Sequence, residues 1–238
     1  MPFIAPTPDP GHVHVWRISL DPPEARLNAL AAVLSPDEHA RADRFRFPHH
    51  RRRFIAGRAA LRGILGRCLG VDPAAVGFAY GEHGKPTLEP ASNPAGLEFN
   101  LANSHDRALV AVSLGMPLGV DIEQRRSIGE SARITARYFT PDEQADFLEH
   151  AEADRPAAFL RGWTRKEALL KATGKGIAGG LDSFEVSLRS TGPILHRLGD
   201  DRNAAARWTL LDVDAGPDFF GALAVDGRVE AVHVFDLD

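Results

Sequence analysis

Asp121, Glu123, Glu167 and Lys171 have the types and spacing for metal-assisted phosphate chemistry. The first two lie in GVDIE, residues 119–123, at the end of the apolar run ALVAVSLGMPLGV. Alternation along a strand puts both acids on one face and turns Ile122 to the core. Two anions that close repel unless a cation or proton lies between them. Glu167 and Lys171 lie in WTRKEALLKATGKG, residues 163–176. As a helix this stretch aligns Trp163, Glu167 and Lys171 along a slowly drifting stripe, and its glycines end the helix. Taken singly, Glu167–Lys171 reads as a surface pair worth about 0.3–0.5 kcal/mol and DIE as a solvated strand end. Taken together, three carboxylates facing one cleft would bind Mg²⁺, which takes oxygen ligands and leaves room for water and phosphate. A nearby lysine would hold the phosphate itself. That is the equipment of phosphoryl-type transfer, where catalysis is mostly positioning and charge neutralisation.

An internal repeat supplies the elements that must position these groups. At an offset of 105 residues, LSPDEHARADRF from Leu34 lies over FTPDEQADFL from Phe139. At the same offset RRFIAGRAALRGIL lies over AAFLRGWTRKEALL, and VHVWRI over LGVDIE. The pattern predicts two similar α+β halves, 1–117 and 118–238, with the site at their interface. Each opens with a strand, followed by a helix capped by Ser or Thr with Pro at its first position, then a second amphipathic helix. Strands following helices in blocks predict antiparallel pairing. The halves are expected to meet near GMPLG, and ligand sites favour such interfaces. In the repeat, Asp121 and Glu123 replace Trp16 and Ile18, and Lys171 replaces Gly66. Packing alone gives no reason for charges there.

Composition bounds the reading. The chain has 238 residues, 44% hydrophobic and 25% charged, with a formal charge of −4. That is ordinary globular composition, and the mild acidity argues against nucleic acid as a partner despite HHRRR at 49–53. The lone Cys68 excludes an internal disulfide framework and a Cys-rich zinc site, and fits a reducing compartment. The N-terminal stretch has no secretory pattern, and no run approaches the ~20 apolar residues of a membrane span. The expectation is a cytoplasmic, monomeric protein without a membrane partner. No phosphate-binding P-loop, zincin or serine-hydrolase motif occurs.

The paired stretches resemble the signature of the surfactin-type 4′-phosphopantetheinyl transferases. That signature is G-[VI]-D-x-E, then an aromatic-[ST]-x-K-E-x-x-x-K stretch some forty residues on. Here the two are Gly119–Glu123 and Trp163–Lys171. LSPDE, RFIAGRAALR, GKP (84–86), FNLANS (99–104) and LDSFEV follow in the family's order. The resemblance implies two α+β halves around one active site. It implies transfer of 4′-phosphopantetheine from coenzyme A to a serine hydroxyl of an acyl or peptidyl carrier protein, releasing 3′,5′-ADP. It further implies Asp121, Glu123 and Glu167 as Mg²⁺ ligands, Glu167 as general base and Lys171 as phosphate clamp. The N-terminal half is then expected to supply coenzyme A contacts, with Gly84, Lys85, Pro86, Arg41 and Arg53 as candidates. Arg125, Arg126, Arg133 and Arg137 are candidate contacts for an acidic carrier.

One departure stands out. The family reads F-N-[LI]-S-H-S, whereas gap-free alignment here puts Ala102-Asn103 where Ser-His is expected. A two-residue slip would bring in Ser104-His105 instead. Asn103 is the expected stand-in, able to donate an amide hydrogen but no charge, with Ser104 and His105 beside it. The competing readings are a two-carboxylate Mg²⁺ phosphohydrolase and a non-catalytic coenzyme A- or carrier-binding module.

Overall fold

The computed structural model describes residues 7–81, 83–174, 180–192, 194–199 and 202–237. Lys175 and Gly176, in the predicted helix-ending loop, lie outside them. The first half runs β1 (His12–Ser19), α1 (Glu24–Ala31), α2 (Pro36–Ala42), α3 (Pro48–Leu69), β2 (Phe78–Tyr80), β3 (Pro86–Leu88), β4 (Leu97–Ser104) and β5 (Arg107–Leu114). The second runs β6 (Leu118–Gln124), α4 (Ser131–Tyr138), α5 (Pro141–Glu149), α6 (Arg155–Thr173), β7 (Phe184–Val186), β8 (Leu195–Leu198), β9 (Trp208–Val213) and β10 (Phe219–Asp226). Both halves thus spell a strand, three helices, a small hairpin and a large hairpin, with one further short helix, α7 (Arg202–Ala205), between the hairpins of the second. In each, the first strand pairs antiparallel with the last, giving strand orders β1-β5-β4 and β6-β10-β9.

Local sequence explains the helix starts. Ser35 and Thr140 each open a capping box, with Pro36 and Pro141 at the first helical turn. The backbone N–H groups of Ser35 and Thr140 donate to Glu38 and Glu143 at 2.9 and 2.8 Å. Such reciprocal bonds satisfy donors that a helix start otherwise leaves unpaired. Helix α6 ends at Gly174 in the left-handed region, φ +69°, as its glycine-rich exit predicts.

The halves stack in four layers. Helix α3 packs on the outer face of the first sheet through Trp16, Ile18, Leu61, Ile64 and Val110. The two sheets meet through Val13, Val15, Leu109, Val120, Ile122 and Leu223. Helix α6 covers the outer face of the second sheet through Ala168, Leu169, Ala172, Ala222 and Ala224. A last strand, β11 (Ala231–Leu237), crosses back over the 117/118 division. It pairs parallel with β1, His12 opposite Ala231 and Ile18 opposite Leu237. Among the described residues no helix is long and apolar enough to cross a membrane.

Candidate active site

The site begins with a strand that a helix touches directly. In β6, Val120 and Ile122 enter the core between the sheets, so Gly119, Asp121 and Glu123 face α6. A Cβ on Gly119 would lie 2.1 Å from the Ala168 carbonyl oxygen and 2.3 Å from the Ala172 nitrogen. Only glycine lets the helix backbone sit this close to the strand. The contact brings Glu167 and Lys171, on the same face of α6, beside the two acids.

Burial sets the electrostatics of this seam. Asp121 is 6% exposed, and the Lys171 ammonium lies 2.6 Å from its Oδ1. Burial still pushes the Asp121 carboxyl up to about 7; Lys171 opposes that rise, while Glu123 and Glu167 add to it. Burial also raises the Glu167 carboxyl, with Lys171 lowering it and Glu123 raising it further. Asp121 and Glu167 therefore each feel the charges of both Lys171 and Glu123. One lysine does not balance three carboxylates. Asp121 Oδ2 is buried without a hydrogen-bond partner, and an orphaned buried oxygen of this kind is costly. The donor set and the orphaned oxygen fit a hard divalent cation with oxygen ligands. Among the described residues, however, no three His, Cys, Asp or Glu side chains form a ready cage.

The first half reaches the seam through β4. Asn100, Ala102 and Ser104 share the face turned to β6. The buried Asn100 Oδ1 accepts the Val120 N–H at 2.9 Å, and Ser104 Oγ donates to Glu123 Oε2 at 2.9 Å. The Gln124 N–H donates to Ser104 Oγ at 3.1 Å. Sequence reasoning passed over Asn100, although alternation from Ser104 reveals it. Asn103 is exposed on the opposite face of the strand, away from the acids. His105 is exposed in the two-residue turn between β4 and β5, φ +54°, with its Nδ1 3.0 Å from Asp106 Oδ1.

The other expected contacts scatter. Arg53 forks onto Asp21 at 3.0 and 2.8 Å, near Asp106. Arg41 is exposed on α2, its guanidinium 5.3 Å from the Phe54 ring centre. Gly84 turns the β2–β3 hairpin at φ +76°, and Pro86 opens β3. Lys85 is turned inward: its Nζ donates to the carbonyls of Leu118 at 3.1 Å and Ala172 at 3.3 Å. Burial lowers the Lys85 ammonium, with Glu98 opposing. The lysine thus ties the hairpin to the same strand and helix that carry the acids. Of the four arginines considered for a carrier, Arg125 covers Phe220, Arg137 covers Tyr138 and Arg133 pairs with Glu130 at 2.7 Å. Arg126 is exposed in the segment that leaves β6. Two clefts, of about 420 and 850 Å³, lie elsewhere, one beside α5 and β7 and one between α1, α3 and β11.

A duplicated α+β fold with carboxylates where strand meets helix defines the class. Comparison with known proteins makes it specific. Residues 117–221 match the 4′-phosphopantetheinyl transferase superfamily, and residues 18–115 match the N-terminal region of 4′-phosphopantetheinyl transferases. The chain is 44% identical to 4′-phosphopantetheinyl transferase HetI of Nostoc sp., over 90% of this chain and 88% of that protein. It is 34% identical to 4′-phosphopantetheinyl transferase psf-1 of Bacillus pumilus, over 76% of each. It is 27% identical to 4′-phosphopantetheinyl transferase Sfp of Bacillus subtilis, over 79% of this chain and 83% of that one. The chain belongs to the 4′-phosphopantetheinyl transferase family and is an enzyme of that kind.

Proposed function

We propose that the enzyme transfers 4′-phosphopantetheine from coenzyme A to a serine hydroxyl of an acyl or peptidyl carrier protein. Asp121, Glu123 and Glu167 would hold a divalent ion, Mg²⁺, as part of a coordination shell that water and substrate oxygens complete. The observation that carries this reading is the orphaned Asp121 Oδ2, buried beside two other carboxylates and one lysine. When bound, the ion neutralises charge on the pyrophosphate through the transfer.

The chain's own groups divide the remaining work. Glu167 accepts the serine proton as the serine oxygen bonds to phosphorus and the bond to the 3′,5′-ADP oxygen breaks. Burial raises its carboxyl, which strengthens the ionised form as a base toward an alcohol. Lys171 supplies positive charge for the phosphates. Ser104 orients Glu123, and Lys85 fixes the hairpin whose Gly84 and Pro86 border the coenzyme. Arg41, Arg53, Asn103 and His105 are candidate outer contacts for its anionic groups. We place the enzyme in the cytoplasm as a monomer: all the acids come from one chain, and the single thiol, Cys68, is free, with no second cysteine for an internal disulfide.

Intact-mass measurement of an apo carrier protein with coenzyme A and Mg²⁺ tests the proposal. A mass gain of one phosphopantetheinyl group, abolished by a chelator, is expected. Coenzyme A hydrolysis with the carrier unmodified would overturn it in favour of a phosphohydrolase.

A further inference from the structure

Three successive residues of α6 bear charge and point three ways. An α-helix turns its side chains by roughly a third of a circle per residue, so Arg165, Lys166 and Glu167 diverge. Arg165 and Lys166 are both 0% exposed. Arg165 forks onto Asp212 of β9 at 2.9 and 2.6 Å, and its Nη1 donates to the carbonyls of Ser187 and Arg189 at 2.7 and 3.0 Å. Lys166 Nζ lies 2.7 Å from Glu143 Oε1 and donates to the carbonyls of Leu181 and Phe184, both at 2.8 Å. Glu143 also accepts the Val186 and Thr140 N–H groups at 2.8 Å each. Every side-chain nitrogen and oxygen of both pairs has a partner, a condition the buried Arg165, Lys166 and Glu143 must meet.

The first half holds a counterpart. Glu38, its capping-box glutamate, is buried against Arg58 and Arg62 of α3. Arg62 Nη1 donates to the carbonyls of Pro73 and Val76, in the turn after that helix, at 3.0 Å each. In each half, then, a capping glutamate and a cation clamp the long helix to the turn that follows it. At the repeat offset Arg62 falls on Glu167, yet the second half's clamp cation stands one residue earlier, at Lys166. The aligned position is thereby released from clamping and faces the strand acids.

The geometry points to Lys166–Glu143 and Arg165–Asp212 as a pair of locks that set the roll of α6 about its axis. They hold Glu167 and Lys171 toward Asp121 and Glu123. These are positioning residues, and the inference rests on the metal-holding role proposed above. It deepens that reading by naming what keeps the third carboxylate in place.

Binding of Mn²⁺ as a probe, followed by electron paramagnetic resonance without turnover, tests it. The double variant Lys166→Met/Glu143→Gln removes the charge pair without stranding a buried ion. We expect its Mn²⁺ affinity to fall about tenfold or more, the scale of losing a group that orients a metal ligand. The matching change in the first half, Arg58→Met/Arg62→Met/Glu38→Gln, likewise leaves no stranded ion, and is expected to lower thermal stability but leave Mn²⁺ affinity unchanged. Equal loss in both variants would overturn the inference, since it would report general loosening. A folded second-half variant with wild-type Mn²⁺ affinity would overturn it too. If that variant does not fold, Arg165→Lys decides, because it keeps the buried charge but loses the fork to Asp212. Several-fold weaker Mn²⁺ binding is expected there, and unchanged binding would overturn the inference. Wild-type protein that binds Mn²⁺ but leaves carriers unmodified would instead sink the proposed reaction, with the affinity comparison still readable.

Discussion

Asp121 bears the largest electrostatic load of any site residue, because it is buried beside two other carboxylates and one ammonium. Without metal, its folded value of about 7 stands well above the ~3.9 of an unfolded aspartate. Between those values the folded chain holds a proton that the unfolded chain has released, so stability falls as pH rises. In chelator, the thermal midpoint should therefore drop from about pH 5 to about pH 8, and Asp121→Asn should flatten that slope. An unchanged slope in the variant would assign the effect to other groups. For chemistry the expectation runs the other way, since ion binding needs the carboxylate ionised. In the proposed mechanism Glu167 is both a metal ligand and the proton acceptor, so Glu167→Gln should cost at least a thousandfold in rate, ~4 kcal/mol of barrier. Transfer within about tenfold of wild type would remove Glu167 from the mechanism.

At the scale of elements, the face of β6 that carries the acids was legible from alternation alone, because a period of two leaves no other choice. What alternation does not reveal is how near the facing helix comes. Gly119 reads in sequence as an ordinary strand glycine, yet the Ala168 carbonyl and Ala172 nitrogen leave no room for a Cβ. Gly119→Ala should push α6 away from β6 at a cost of about 1–3 kcal/mol or more. Denaturant melts would register that loss, and activity should fall further than stability alone explains. A variant with wild-type melting and turnover would mean that the helix does not need this approach. The Arg165-Lys166-Glu167 run was illegible for a related reason: consecutive charges on a helix ordinarily mark a solvated face. Only acceptors from α5, β9 and the turns around β7 make their burial tolerable, and those lie far away in sequence. Lys85 is the same case, a presumed anion contact whose ammonium the fold turns onto two carbonyls.

At the scale of the molecule, the repeat made the plan of the two halves legible, since both capping boxes and both long helices recur at one offset. It did not reveal which sheet the final strand, β11, joins, because a strand's alternation says nothing about its partner. That strand belongs by position to the second half but lies along β1, where Phe235 tilts against Trp16 at 5.6 Å between ring centres. Arg17 of β1 forks onto Asp236 of β11 at 2.8 Å per bond and reaches Asp214 beyond β9 at 2.8 Å. The last strand therefore acts as a strap between the halves, while every acid of the site lies on β6 and α6. Ending the chain after Asp226 should make β1 a sheet edge and expose Trp16 and Ile18. Losing the partial burial of Phe235 and Leu237 alone should cost about 2–3 kcal/mol. The truncated protein should melt well below the full chain, yet below its own midpoint keep a kcat near that of the full chain. A truncated protein with an unchanged midpoint would show that the strap holds nothing. Folded protein that has lost turnover would show that the first sheet sets the seam through more than the Asn100 and Ser104 contacts.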